Sequence, residues 1–173
     1  MTEGQYPRMH LTPEAVAAER DWIEARADVV VPLINDVRSN LGRAFGTSVD
    51  PVVAAQYRTA VDAVFADGDV AVNVAALSGL LRDLHVDGDY PGFVVDEFLG
   101  RRLASTIAGR EPLALLAEAT FHYADIMAED GDDDDAAGLD DLDAALAAGF
   151  QTRLAGWDWR GEPSPFDITD GDQ

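Results

Sequence analysis

Apolar residues recur at steps of three and four through most of this chain, and the strict alternation that is typical of β-strands is missing. The longest such pattern comprises Ile23, Ala27, Val30, Ile34, Val37, Leu41 and Ala44. Because this spacing places the apolar side chains on one face of an α-helix, the sequence predicts an all-α fold.

Residues that favour helix starts and breaks define the first predicted helix. Thr12 can accept a hydrogen bond from a free amide group of the first turn, and Pro13 suits the first helical position. Gly46 ends the pattern. Pro32 interrupts it, because proline lacks a backbone donor and clashes with the carbonyl group four residues earlier. We therefore expect a kink or a break near residues 29–31.

Five further helical patterns follow, each bounded by turn-forming residues. They start at Asp50-Pro51, at Asp69, near Phe93, at Glu111-Pro112 and near Asp135, and the last one ends near Ala155. The helix that starts at Glu111-Pro112 is apolar around more of its circumference than the others. Such breadth is typical of a central helix with neighbours on several sides.

A chain of 173 residues is long enough for one domain with a hydrophobic core, and no composition break divides it before residue 156. We therefore predict a single-domain bundle of about six helices, with a kinked or broken first helix. Residues 1–11 are expected to form an N-terminal arm, residues 12–155 the bundle and residues 156–173 a C-terminal tail.

The tail mixes aromatic side chains with helix-breaking residues. A large apolar side chain left in water costs about 1.5–3 kcal/mol. We therefore expect Trp157, Trp159 and Phe166 to pack onto the helices or onto a second subunit, and residues 169–173 to be disordered.

Carboxylates dominate the charge of the chain. Asp and Glu number 33 against 12 Lys and Arg, which gives a net charge of −21, and every one of these cations is arginine. At molar salt the Debye length falls to about 3 Å, which screens the self-repulsion while the carboxylates keep the surface hydrated. This composition resembles that of proteins from extreme halophiles and predicts adaptation to high salt, although a GC-rich genome could also replace lysine with arginine.

The same charge opposes binding to nucleic-acid phosphates and to anionic membranes. It leaves open an acidic decoy that mimics nucleic acid and occupies a nucleic-acid-binding protein. The N-terminus lacks a secretory signal, no segment approaches the ~18 apolar residues of a membrane span, and cysteine is absent. We therefore expect a cytoplasmic protein.

The tripeptide Asp-Gly-Asp occurs four times, starting at Asp67, Asp87, Asp130 and Asp170. Calcium loops need carboxylates at alternate positions, a glycine at the sharp turn and a bidentate glutamate at the end. The copy at Asp87 has Phe98 in place of that glutamate, and the copy at Asp130 has Asp135 in place of the glycine. We expect non-specific cations at the acidic surface and predict no metal site, and specific divalent binding by these loops stays open.

Two groups of residues are candidates for ligand binding. Glu118 and His122 are four residues apart, which places them on one helical face, and Arg101, Arg102 and Arg110 form the only basic concentration. Arginines can hold a phosphate or a carboxylate through paired hydrogen bonds. The alternatives are a hydrogen-bonded core histidine and arginines that pair with surface acids.

No nucleophile elbow, phosphate-binding loop or dinucleotide fingerprint is present, so the sequence indicates no catalytic residues and no cofactor. The leading hypothesis is a non-catalytic helical interaction protein, such as an adaptor, maturation factor or regulator, that binds a protein partner or forms a homodimer. The alternatives are the acidic decoy and a small-molecule binder or enzyme with a His/Glu/Arg pocket.

Overall fold

The computed structural model describes residues 10–84, 92, 94–129 and 137–155, and within them the chain forms seven α-helices and no strand. The helices are α1 (Pro13–Ala25), α2 (Ala27–Phe45), α3 (Ala54–Phe65), α4 (Gly68–Asp83), α5 (Arg101–Ala108), α6 (Leu113–Glu129) and α7 (Ala137–Gln151). A π-helical segment, Val95–Gly100, leads into α5. The prediction of an all-α fold is confirmed.

The first predicted helix starts as expected and corresponds to two helices, α1 and α2. The amide of Ala15 donates to Thr12 Oγ1 over 3.1 Å. The interruption lies at Arg26, upstream of residues 29–31, and Pro32 is inside α2. The Arg26 guanidinium donates to both carboxylate oxygens of Asp143 in α7, over 2.9 and 2.8 Å. This contact links the junction between α1 and α2 to α7.

The helix predicted to open at Asp50-Pro51 begins only at Ala54, so that boundary was wrong. Side chains of α2 hold the preceding residues. Arg38 Nη1 donates to the carbonyl of Asp50 over 3.0 Å. Asn35 accepts from the amide of Val52 over 2.7 Å and donates to its carbonyl over 3.0 Å. Since the backbone of residues 50–52 is bonded to α2, these residues do not form a first helical turn.

The cap predicted for the next helix was wrong by two residues. Asp67, rather than Asp69, accepts a hydrogen bond from the amide of Val70 over 3.3 Å, and α4 begins at Gly68. Only Ala66 and Asp67 separate α3 from α4. Asp67 is therefore both the last residue of the connection and the N-cap of α4.

The central helix is α7 and not α6, which corrects the expectation drawn from the broad apolar surface of α6. Residues 141–152 of α7 and the turn after it are all buried, whereas α6 leaves several large apolar side chains half exposed. Four alanines and a glycine explain the position of α7, because small side chains let neighbouring helices approach from every side. They are Ala144, Ala145, Ala147, Ala148 and Gly149.

No single helix in the described part of the chain is long and apolar enough to cross a membrane. Helices α3 and α4 reach that length and composition only together, and the chain bends by 113° between them.

Several predictions fall outside the described residues. These concern residues 1–9 of the arm, the Asp-Gly-Asp copies at Asp87, Asp130 and Asp170, and the tail with Trp157, Trp159 and Phe166.

Candidate functional site

A groove where α5 meets α6 brings together three of the five predicted ligand-binding residues. Arg102, Arg110 and Glu118 line this groove, whose volume is about 360 Å³. Arg101 and His122 do not line it. Arg101 is half-buried, and the exposed His122 lies one helical turn beyond Glu118.

The turn between the two helices positions the two arginines. Gly109 ends α5 with φ +91°, a conformation that favours glycine, and its amide donates to the carbonyl of Ser105 over 3.0 Å. The carbonyl of Arg110 then accepts from the amide of Ala114 over 2.9 Å, which starts the hydrogen bonding of α6. Arg102 therefore lies on one side of the turn and Arg110 on the other.

A third arginine, in the turn that follows α7, reaches the same turn. Arg153 donates through Nε to the carbonyl of Ile107, and a Cβ added to Gly109 would lie 2.9 Å from Arg153 Nη2. Burial lowers the pKa of Arg153, and so does the positive charge of Arg110, although Asp67 acts in the opposite direction. We name this groove, which Arg102 and Arg110 line and which Arg153 adjoins at Gly109, the arginine groove.

The arginine groove is unusual in so acidic a chain because Arg102 and Arg110 form no ion pair among the described residues. Arg20, Arg26 and Arg82, by contrast, each form an ion pair with a carboxylate. Glu111 and Glu118 also line the groove, yet neither forms an ion pair with Arg102 or Arg110. The groove therefore presents guanidinium donors that are open to an external anion.

A second candidate surface lies on the outer side of α6. Leu115, Tyr123 and Ile126 are 54%, 50% and 51% exposed, and Ala119 and His122 are exposed between them. The spacing 115, 119, 122 and 126 follows one face of the helix, with Tyr123 at its edge. We name these five residues the α6 face.

Residues 9–170 match a protein family described as Domain of unknown function (DUF7984). The chain belongs to this family. No curated protein and no solved structure matches it significantly. The DUF7984 match spans all seven helices and extends over the tail residues Trp157, Trp159 and Phe166.

The remaining polar clusters of this DUF7984 chain connect its own helices. Two guanidinium groups lie over the ring of Trp22, that of Arg82 at 4.9 Å from the ring centroid and that of Arg26 at 5.6 Å. Glu19 forms a bidentate ion pair with Arg82. The Tyr57 hydroxyl donates to the carbonyl of Ile23 over 2.7 Å, and burial raises the pKa of this phenol. These groups are engaged within the fold and present no reactive atom.

Carboxylates and histidines of the DUF7984 chain form no group of three or more that could hold a metal ion within the described residues. One carboxylate pair does occur, where a hydrogen bond with Asp62 of α3 raises the pKa of Glu24 of α1. It lies on a different part of the bundle from the arginine groove, since no residue of α1 or α3 lines that groove.

Sequence reasoning did not place Arg153 at this site, and it expected the apolar circumference of α6, which includes Leu115 and Ile126, to be covered by neighbouring helices. A signal for the second error was present, because a helix that is apolar around most of its circumference has either a second neighbour or a second surface. No local pattern indicated Arg153, which is 43 residues beyond Arg110 along the chain.

Proposed function

We propose that this chain is a non-catalytic helical interaction protein that self-associates through the α6 face and is adapted to high salt. The observation that carries the proposal is the α6 face itself, where three half-exposed large apolar side chains lie on one side of the helix over about three turns. Burying them against another protein would remove apolar surface from water at a gain of roughly 25 cal/mol per Å².

Other exposed apolar residues of the described chain do not form a comparable row. The other exposed large apolar side chains of the described chain are Leu11, Val29, Phe45, Val53, Val72, Leu80 and Phe98, and no three of them share one face of a helix. The α6 face is also poor in charge. Between residues 112 and 127 the only acids are Glu118 and Asp125, and Asp125 is buried. A second copy with the same large negative charge therefore meets less repulsion here than at the acid-rich helix ends.

The α6 face is tested with the double variant Leu115→Glu/Ile126→Glu. We expect it to sediment as a monomer in molar NaCl, where the wild type sediments as a dimer, because two carboxylates cannot be buried without partners. The matched control is Val72→Glu/Leu80→Glu on α4, which adds the same charge at side chains that are 43% and 42% exposed. A monomeric wild type, or a variant that associates as well as the control does, would contradict self-association through this face.

The aromatic tail is proposed as a further contact of the same kind. Trp157, Trp159 and Phe166 follow α7, whose carboxyl end adjoins the arginine groove through Arg153. Packing of the tail onto the helices or onto a second subunit would remove these side chains from water.

The distribution of acids supports adaptation to the solvent rather than a phosphate-mimicking face. Exposed carboxylates occur on each of the first four helices and in several connections. They include Glu14, Asp21, Asp28, Asp36, Asp50, Asp62, Asp69, Asp83 and Glu111. A decoy that occupies a nucleic-acid-binding protein needs its carboxylates aligned along one side of the fold. Carboxylates that are spread over many helices repel one another instead, and salt screens this repulsion.

Thermal unfolding against NaCl concentration tests the origin of the charge. We expect the midpoint to climb from dilute buffer into the molar range, because screening removes repulsion that opposes the compact state. In the variant Asp28→Asn/Asp36→Asn/Asp62→Asn the same midpoint should be reached at lower salt. A midpoint that stays flat between dilute buffer and molar NaCl would count against salt adaptation.

A further inference from the structure

We propose that the arginine groove binds a small phosphomonoester that carries hydroxyl groups. Its phosphoryl group lies at the Gly109 turn, within reach of Arg102, Arg110 and Arg153, and its hydroxyl groups extend along the groove to Glu118. The site is separate from the α6 face, because no residue of that face lines the groove. The proposal goes beyond self-association and does not depend on it.

Three segments of the chain bring guanidinium groups to the same turn. Arg102 belongs to α5, Arg110 to the turn itself, and Arg153 to the turn that follows α7. The carbonyl of Ile107 holds Arg153 Nε. Donors that approach from three directions suit a tetrahedral phosphoryl group, whose oxygens also point in several directions. A planar carboxylate needs only one guanidinium, which binds it through two parallel hydrogen bonds.

Gly109 leaves the Arg153 guanidinium open to the groove. A Cβ at this position would lie 2.9 Å from Arg153 Nη2, on the residue that lines the groove between the two helices. The φ of +91° favours glycine here, so the turn that brings the arginines together is also the one that carries no side chain between them.

Like charges converge at this turn. Burial lowers the pKa of Arg153, and the nearby positive charge of Arg110 lowers it further, against the opposing effect of Asp67. Three guanidinium groups and the carboxylate of Glu111 leave two positive charges around the turn. A phosphomonoester carries a charge of about −1.5 to −2 at neutral pH, so it neutralises this excess and relieves the repulsion between the arginines.

The remainder of the groove accounts for the hydroxyl groups of the ligand. Its volume of about 360 Å³ lies within the range of about 300–1,000 Å³ that is typical of small-molecule sites. Glu118 lines it from the second turn of α6 and is half-buried. Because a carboxylate only accepts hydrogen bonds, Glu118 binds hydroxyl groups and repels a second phosphoryl group.

High salt removes the main obstacle to binding an anion. The net charge of −21 repels phosphate at long range in dilute buffer. At molar salt the Debye length is about 3 Å, so this repulsion is screened. Charge-assisted hydrogen bonds act over about 2.7–2.9 Å and persist under the same conditions.

The site is tested by phosphorus NMR titration in molar NaCl, with glycerol phosphate and inorganic phosphate as probes. We expect saturable binding of both, with glycerol phosphate the tighter. Arg102→Gln and Arg110→Gln should each raise the dissociation constant of glycerol phosphate about tenfold, because each removes charge-assisted hydrogen bonds. Both arginines are exposed, so these variants should fold. The matched control is Arg58→Gln on α3, at another exposed arginine that does not line the groove.

Two further measurements test the chemical class of the ligand. Glu118→Ala should abolish the preference for glycerol phosphate over inorganic phosphate, because it removes the acceptor for the hydroxyl groups. Malonate, a dicarboxylate, should not displace glycerol phosphate when both are present at equal concentration. Displacement by malonate would overturn the assignment of a phosphoryl group, and a preference that survives in Glu118→Ala would overturn the role of Glu118.

Two other outcomes would overturn the site as a whole. One is a wild type that binds neither phosphate probe saturably. The other is an equal loss of affinity in Arg58→Gln and Arg110→Gln, which would assign binding to the overall charge of the chain. The self-association of Arg102→Gln and Arg110→Gln should match that of the wild type in sedimentation, since neither residue belongs to the α6 face. Failure of the phosphate site is thereby distinguished from failure of self-association.

Discussion

Replacing Arg38 with methionine should lower the free energy of unfolding by about 3–5 kcal/mol. Arg38 is only 1% exposed, and its guanidinium is the junction of three parts of the fold. Nη1 donates to the carbonyls of Asp50 and Ala155 over 3.0 and 2.7 Å, and Nη2 donates to those of Gln151 and Leu154 over 3.0 and 2.9 Å. Methionine fills similar space but leaves these four carbonyls without their donor.

Three of those carbonyls belong to the end of α7 and the turn that follows, where the backbone acceptors of a helix lack partners and carry partial negative charge. Arg38 therefore caps the central helix from inside the bundle and also holds the start of the connection to α3. No other described side chain donates to all of these segments. This is why a large loss is expected from one substitution.

Urea unfolding in molar NaCl measures the effect of Arg38→Met, because guanidinium chloride would itself change the screening of the acids. Arg38→Lys keeps the charge without the planar arrangement of donors and should give an intermediate loss. Arg58→Met removes an exposed arginine and should change the free energy of unfolding by less than about 0.5 kcal/mol. A loss below about 1 kcal/mol for Arg38→Met would contradict the capping role.

Gly149→Ala should lower the free energy of unfolding by about 1–2 kcal/mol, although alanine is normally the better helix former. A Cβ at this position would lie 2.8 Å from Cβ of Ile107 and 2.9 Å from the carbonyl oxygen of Ala104. Both atoms belong to α5. One is a backbone oxygen and the other is bonded directly to the backbone, so neither can rotate away. The two helices would have to separate, and the cost of that overpacking exceeds the roughly 0.5–1 kcal/mol gained from helix propensity.

The matched control is Gly68→Ala at the start of α4. No atom lies within 4 Å of the added Cβ there, and the backbone is not in the left-handed region. That substitution should leave stability unchanged or raise it by about 0.4–1 kcal/mol through the unfolded state. If urea midpoints show Gly149→Ala to be as stable as Gly68→Ala, the close approach of α5 and α7 is not as tight as the structure has it.

Helix content was predictable because it depends on local spacing. The steps of three and four from Ala27 to Leu41 produce α2, and Thr12 caps α1 as its sequence position indicates. Helix starts were less predictable where distant side chains intervene. Asp50-Pro51 has the chemistry of a helix start, yet Asn35 and Arg38 bond the backbone of that stretch instead.

The candidate site was predictable only in part. Arg102 and Arg110 are close in sequence on either side of a turn, so their convergence with Glu118 follows from two adjoining helices. Arg153 comes close to them only because α7 packs against α5. His122 does not line the groove, because it lies one turn of α6 beyond Glu118. Apolar spacing likewise placed Leu115 and Ile126 on helix α6 without revealing that their side faces solvent.

By itself, the sequence determined that this chain is all-helical, strongly acidic and free of cysteine, because periodicity and composition are properties of neighbouring residues and of their sum. Only the tertiary structure decided that the alanine-rich α7 is central, that Arg38 caps it and that the more apolar α6 is left with an open face. The physical reason is that close packing favours small side chains where helices meet. Neither the hydrophobicity of a residue nor its spacing along the chain specifies which helices meet.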